Sequence, residues 1–160
     1  MRWIHIPDTS IMVCLLNLPE KCNNPAPIWD ELERYAKDPP THTVVLPVAT
    51  IIETGNHIAH RSKQRHEYAM KFAGFLNATA LEKAPWVYGP WPYDNDLLSR
   101  LAADFPPLAA QGVGGADTSL IATFNRYIET VPNVSVRIWS LDTHLKGYVY
   151  QVPEIGKGKR

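Results

Sequence analysis

The sequence has no excess of charge of either sign: Lys+Arg and Asp+Glu stand at 16 each. A chain without a net field does not attract nucleic acid over its whole surface, so a polyanionic partner must be held by a local patch. Cysteine is scarce as well. Cys14 and Cys22 have no His or Cys neighbour at metal-ligand spacing, and two cysteines in 160 residues are not a disulfide scaffold. A reducing compartment, the cytoplasm, is therefore expected. No apolar run approaches the ~20 residues that a membrane-spanning helix needs, so no membrane partner is expected. The apolar stretch from Ile11 to Leu18 is preceded by Asp8 and followed by no small-residue cleavage site, unlike a secretory leader. Internal repeats are absent, and no linker is long enough to divide the chain. One compact domain is expected over residues 1–152, with a basic, frayed tail over 153–160.

Short β-rich segments alternate with helical patterns. Trp3 to Pro7 reads as a brief buried strand. Asp8-Thr9-Ser10, typical helix-capping residues, then lead into an apolar helix. Pro25 to Lys37 spaces Ile28, Leu32 and Tyr35 on one helical face, and Pro39-Pro40 stop it. Thr43 to Leu46 predicts a strand, Thr50 to Arg61 a helix, and Lys63 to Ala80 a longer polar helix. Pro85 to Pro92, dense in aromatics and proline, predicts a rigid loop. Asp94 to Phe105 predicts a helix stopped by Pro106-Pro107. The glycine-rich turn at 112–115 leads to a helix over Asp117 to Thr130. Val134 to Trp139 alternates as a strand, a short helix follows Ser140, and Tyr148 to Val152 adds an edge strand. This alternation implies a parallel sheet flanked by helices, an α/β sandwich.

Four carboxylates fall where such a sheet binds ligands, beyond the carboxyl ends of its strands. Asp8 and Asp142 follow strands, Glu53 lies early in the helix after the Val44 strand, and Asp117 opens a helix. Together they would repel one another unless a cation intervened. Hard oxygen donors suit Mg²⁺ or Mn²⁺, which can acidify a bound water and stabilise a phosphoryl transition state. Phosphodiester hydrolysis is the reaction this set suits best. Each acid also has a plainer role. Asp8, Asp117 and Asp142 can cap helices, and Thr50-Ile-Ile-Glu53 can form a capping box.

Ile6-Pro-Asp8-Thr-Ser10-Ile, Thr50-Ile-Ile-Glu53, Gly115-Ala-Asp117-Thr-Ser-Leu-Ile-Ala122 and Ser140-Leu-Asp142-Thr-His-Leu145 resemble, in order, the acidic motifs of PIN-domain nucleases. The toxins of VapBC-type toxin–antitoxin modules belong to that family. The resemblance covers residues 4 to about 146, with Trp86 to Trp91 as a local insertion. It implies a three-layer α/β/α sandwich with a central parallel sheet, and an endoribonuclease using Mg²⁺ or Mn²⁺. The implied partners are an RNA substrate, an antitoxin and a second copy of the chain. By the same likeness Asp8 and Asp117 are the main metal ligands, Glu53 holds metal or its water, and Asp142 is auxiliary. Thr9, Ser119 and Ser140 would orient the carboxylates.

The clearest local basic region runs from His57 to Lys71. Asn56, His57 and His60 share the helical face of Glu53, so Asn56 and His57 are expected to line a phosphate backbone's path, with Arg61 and Arg65 neutralising phosphates. The same face offers Glu53, His57 and His60 as a Zn²⁺ site, which would leave the aspartates unexplained. Trp86, Tyr88, Trp91 and Tyr93 suit base stacking, core or a partner surface equally. A second reading of the whole chain is a PIN-like module that binds RNA or protein without cleaving.

Overall fold

The computed structural model describes residues 1–61, 63–89 and 94–153. Trp91, Tyr93 and all of the basic tail but Pro153 lie outside the described residues. Eleven elements follow in order: β1 (Arg2–Pro7), α1 (Thr9–Leu15), α2 (Ala26–Lys37), β2 (His42–Leu46), α3 (Val48–Ala59), α4 (Arg65–Ala80), β3 (Val87–Tyr88), α5 (Asn95–Ala109), α6 (Gly115–Thr130), β4 (Val134–Trp139) and β5 (Val149–Tyr150). The sheet runs β3-β2-β1-β4-β5, parallel throughout except for antiparallel β5.

Successive strand side chains point to opposite faces, and that period separates two cores. Ile4 and Ile6 of β1 and Val136 and Ile138 of β4 meet Leu120 and Phe124 of α6 on one face. Val44 and Leu46 of β2 and Trp139 of β4 meet Ile11, Leu32, Ile58 and Phe72 of the helices on the other. Helix α2 buries Ile28, Leu32 and Tyr35, the stripe its sequence spacing implies. The result is an α/β/α sandwich, with its central sheet mostly parallel as expected. Among the described residues no helix is long and apolar enough to cross a membrane.

Local expectations changed in five places. Pro106 and Pro107 do not stop α5, which runs to Ala109. The carbonyls of Ala102 and Ala103, deprived of helical donors, sit on exposed residues where water can serve them. Part of the expected rigid loop is the strand β3, paired with β2 through Val45 and Val87. Thr50 makes no capping box: α3 already begins at Val48, and the Thr50 hydroxyl donates to the Pro7 carbonyl at 2.8 Å. The segment after Ser140 forms turns rather than a helix. Finally, Cys14 and Cys22 form a disulfide, their Cα atoms 5.0 Å apart. Helix α1 ends at Leu15, and Asn17 at φ 56 turns the chain so that Cys22 returns to Cys14. The cysteine count therefore stops being an argument for a reducing compartment.

Closing so short a loop stabilises by about 2–3 kcal/mol in the chain-entropy account. A reductant should therefore lower the urea midpoint of the parent but not of a Cys14→Ala/Cys22→Ala variant, and equal sensitivity would show that the bond contributes nothing.

His5 is buried on the α2 face, where burial first, and then the charge of Arg137, lower its pKa from 6.5 to about 3. Below pH 6.5 the unfolded chain takes up a proton that folded His5 refuses, so its contribution is complete above pH 6.5 and is lost as pH falls toward 3. A His5→Phe variant should show a shallower fall in urea midpoint between pH 6.5 and 4 than the parent, and parallel curves would refute this.

Candidate functional site

The β1–β4 register runs from Arg2↔Val134 to Pro7↔Trp139, and it sets the next two residues, Asp8 and Ser140, side by side. The Asp8 amide donates to the Trp139 carbonyl at 3.0 Å, and the Ser140 hydroxyl donates to Asp8 Oδ2 at 2.5 Å. Asp8 also caps α1, its Oδ1 accepting from the Ile11 amide at 3.2 Å and the Ser10 hydroxyl at 2.5 Å. Ser10 in turn accepts the Leu141 amide at 2.9 Å, tying the α1 start to the end of β4. Burial raises the Asp8 pKa, and these donors pull against that rise. The capping role is real, but it occupies only part of a buried carboxylate.

Asp117 is not a cap. Helix α6 begins at Gly115 after a Gly114 cap, which places Asp117 in the first turn, half-buried. Its carboxyl is pushed up to about 6, first by burial, then by the negative charges of Glu53, Asp8 and Asp142; His144 acts in the other direction. One electrostatic neighbourhood therefore joins all four predicted carboxylates. Glu53 lies within α3, where it accepts from Thr9 Oγ1 at 3.2 Å and faces His57 Nε2 at 3.9 Å. Asp142 is exposed, its Oδ1 accepting from the His144 amide at 2.8 Å.

Of the expected orienting hydroxyls, Thr9 and Ser140 touch carboxylates. Ser119 is buried in α6, where its carbonyl accepts from Thr123. Ser10 and His144 were not anticipated as members of the site. Their signal was their place two residues after Asp8 and Asp142.

Asn56 and Arg65 are exposed and His57 is half-exposed. Arg61 is not available as expected. Its side chain is 6% exposed, with the guanidinium 4.6 Å above the Tyr68 ring and 3.8 Å from Glu20, so it cannot meet a nucleic-acid backbone there. His60 bonds back to the Asn56 carbonyl at 2.7 Å, and it does not form a metal-holding group with Glu53 and His57. Trp86 belongs to the core, donating to Thr79 and meeting Phe75, whereas Tyr88 is exposed.

The donor set fits a divalent cation in kind: hard oxygens carrying surplus negative charge, one of them half-buried and reluctant to ionise. Among the described residues no three His, Cys, Asp or Glu side chains already stand at metal-holding spacing. Mg²⁺ does not require such a cage, because it keeps several waters and takes one or two carboxylates. The residues thus fit a partly hydrated ion better than a closed structural site.

No family model matches the sequence, and no curated protein does. The fold is similar to a chain in the crystal structure of VapBC2 from Rickettsia felis bound to a DNA fragment from their promoter. The TM-score is 0.53 at 15% identity, over 86% of this chain and 99% of that one. At that identity the likeness is one of fold.

A carboxyl whose pKa is raised stabilises fully only below the ordinary carboxylate range, and that contribution is lost as pH rises through about 6 for Asp117. Asp117→Asn should therefore raise the metal-free melting temperature at pH 7.5 by about 2 °C or more, with the gain shrinking toward pH 4. Millimolar Mg²⁺ or Mn²⁺ should stabilise the parent and not the variant. A variant that melts lower at pH 7.5, or responds to the ion like the parent, would remove Asp117 from a cation site.

Proposed function

We propose that this chain is a divalent-metal-dependent endoribonuclease, the toxin of a toxin–antitoxin module, with its active site at Asp8, Glu53, Asp117 and Asp142. What supports this most is the placement of the acids at the carboxyl end of the β1–β4 seam, where Ser10 and Ser140 hold Asp8, Thr9 holds Glu53, and Asp117 lies within the field of the other three. A fold stabilised only by packing gains nothing from such a cluster. The fold likeness to VapBC2 is compatible with the reading and suggests an antitoxin as partner.

Mg²⁺ or Mn²⁺ would be held by Asp8 and Asp117, with Glu53 and Asp142 taking part directly or through water. When bound, such an ion supplies a more acidic water and charge stabilisation at phosphorus. The chain's own residues do the positioning. Ser10 and Ser140 hold the two oxygens of Asp8, and Thr9 holds Glu53. RNA would approach along Asn56, His57 and Arg65, binding more weakly as salt rises.

A second reading, a PIN-like module that binds without cleaving, draws on the absence of a ready-made three-ligand cluster among the described residues. Incubation with a mixed RNA pool and Mn²⁺ separates the two. Cleavage by the parent should stop on chelation and fall about a hundred-fold or more in Asp8→Asn and Asp117→Asn, since each would remove several kcal/mol of charge stabilisation. A parent inert with every divalent ion offered would leave the binding module, whereas variants that cut as well as the parent would take catalysis away from these acids.

A further inference from the structure

A second polar cluster lies on the α2 face of the sheet, toward the start of β1 and β2 and away from the carboxylates. His5 is 2% exposed and stacks on Tyr35 at 4.0 Å between ring centroids. Arg137 Nε donates to His5 Nδ1 at 2.8 Å. A guanidinium N–H can only donate, so neutral His5 carries its proton on Nε2. That nitrogen stands 2.9 Å from His42 Nδ1 and must donate to it, which leaves the His42 proton on Nε2. The chain Arg137 to His5 to His42 therefore has one direction and ends in an N–H on a half-buried ring.

Glu31 is already saturated. It accepts from the Tyr35 hydroxyl, from Arg137 Nη2 at 2.6 Å and from Trp139 Nε1 at 2.9 Å, with Arg34 at 3.5 Å. Anchoring α2 to the sheet accounts for that much. It does not account for the space beside it. A cavity of about 410 Å³ is lined by Trp3, Arg34, His42 and Arg137, together with Glu31, His5 and Tyr35. Beyond Tyr35 and His42, which wall both, lies a second cavity of about 320 Å³ lined by Pro39, Val44, Pro85 and Trp86 among others. Both volumes are in the range of small-molecule sites. The first lining sets two guanidiniums against one carboxylate. Asp38, at the end of α2, also acts on His42 and moderates that surplus.

We infer that the paired compartments form a binding site for a phosphate monoester carrying a planar ring, of mononucleotide size. The phosphate lies among Arg34, the His42 Nε2–H and Arg137 Nη1, the one guanidinium nitrogen that the bonds to His5 and Glu31 do not use. The ring lies along the Pro39 and Trp86 wall. A free mononucleotide and the phosphorylated end of an RNA chain share this chemistry. The site does not rest on the nuclease reading, since none of its residues touches the carboxylates.

Calorimetric titration of the full chain in a chelator, which suppresses any cleavage, tests this. The probes are AMP, adenosine, and short oligoadenylates with either a 5′-phosphate or a 5′-hydroxyl. A phosphorylated probe should saturate, with its unphosphorylated counterpart at least about ten-fold weaker. AMP binding tighter than the oligonucleotide assigns the site to free nucleotide, and the reverse order assigns it to a chain end; either supports it. Arg34→Ala, at a side chain 69% exposed and so harmless to the fold, should weaken binding about ten-fold, as should His42→Ala. No saturation by either phosphorylated probe, equal binding of adenosine, or an unaffected Arg34→Ala variant would overturn the assignment and leave the cluster as an anchor for α2.

Discussion

The parallel register between β1 and β4 is the constraint on which the rest of the structure depends. Six residue pairs align from Arg2↔Val134 to Pro7↔Trp139, and the Asp8–Ser140 contact at the end of the sheet follows from their alignment. A one-residue slip would turn Ile4 and Ile6 away from the α6 core and break the Ser140–Asp8 bond together. Strands β1 and β4 are also where the chain order reverses across the sheet, with β2 and β3 to one side and β5 to the other. Crevices at such switch points are where open α/β sheets bind ligands. The acid cluster occupies the carboxyl end of that seam. The His5–Arg137 cluster hangs from the same two strands farther back, on the α2 face.

These two clusters handle charge in opposite ways. At the α2 face, Arg137, Glu31, Tyr35 and the histidines satisfy one another through directed hydrogen bonds. At the carboxylate end, hydroxyls and backbone amides satisfy Asp8, while Asp117 is half-buried and faces three like charges. Like charges gathered in partly buried space destabilise a fold by themselves. That cost is the physical ground for reading the end of the sheet as functional.

Much of the architecture was legible because two periods are strong signals. The alternation of Val134 to Trp139 and the stripe of Ile28, Leu32 and Tyr35 on α2 reported the faces they bury. Strand β3 was illegible because Val87-Tyr88 is too short to show a period and is defined only by its pairing with β2. The run of α5 through Pro106 and Pro107 was equally hidden, since the tolerance comes from solvent beside Ala102 and Ala103 rather than from the residues themselves. The disulfide required Asn17 to turn the chain in a left-handed conformation, which residue spacing does not reveal.

By itself the sequence determined the kinds of residue and their order: four carboxylates after strands or at helix starts, hydroxyls beside them, and a basic stretch after Glu53. Tertiary structure decided which alternatives those residues adopt. It retained Asp8 as a cap and brought Asp117 into the first turn of α6 rather than onto its cap. It used Thr50 to bind the Pro7 carbonyl instead of Glu53, and it turned Arg61 inward over Tyr68. A hydroxyl or a guanidinium has several partners of nearly equal energy within local reach, so its choice is made by what the packed fold places beside it.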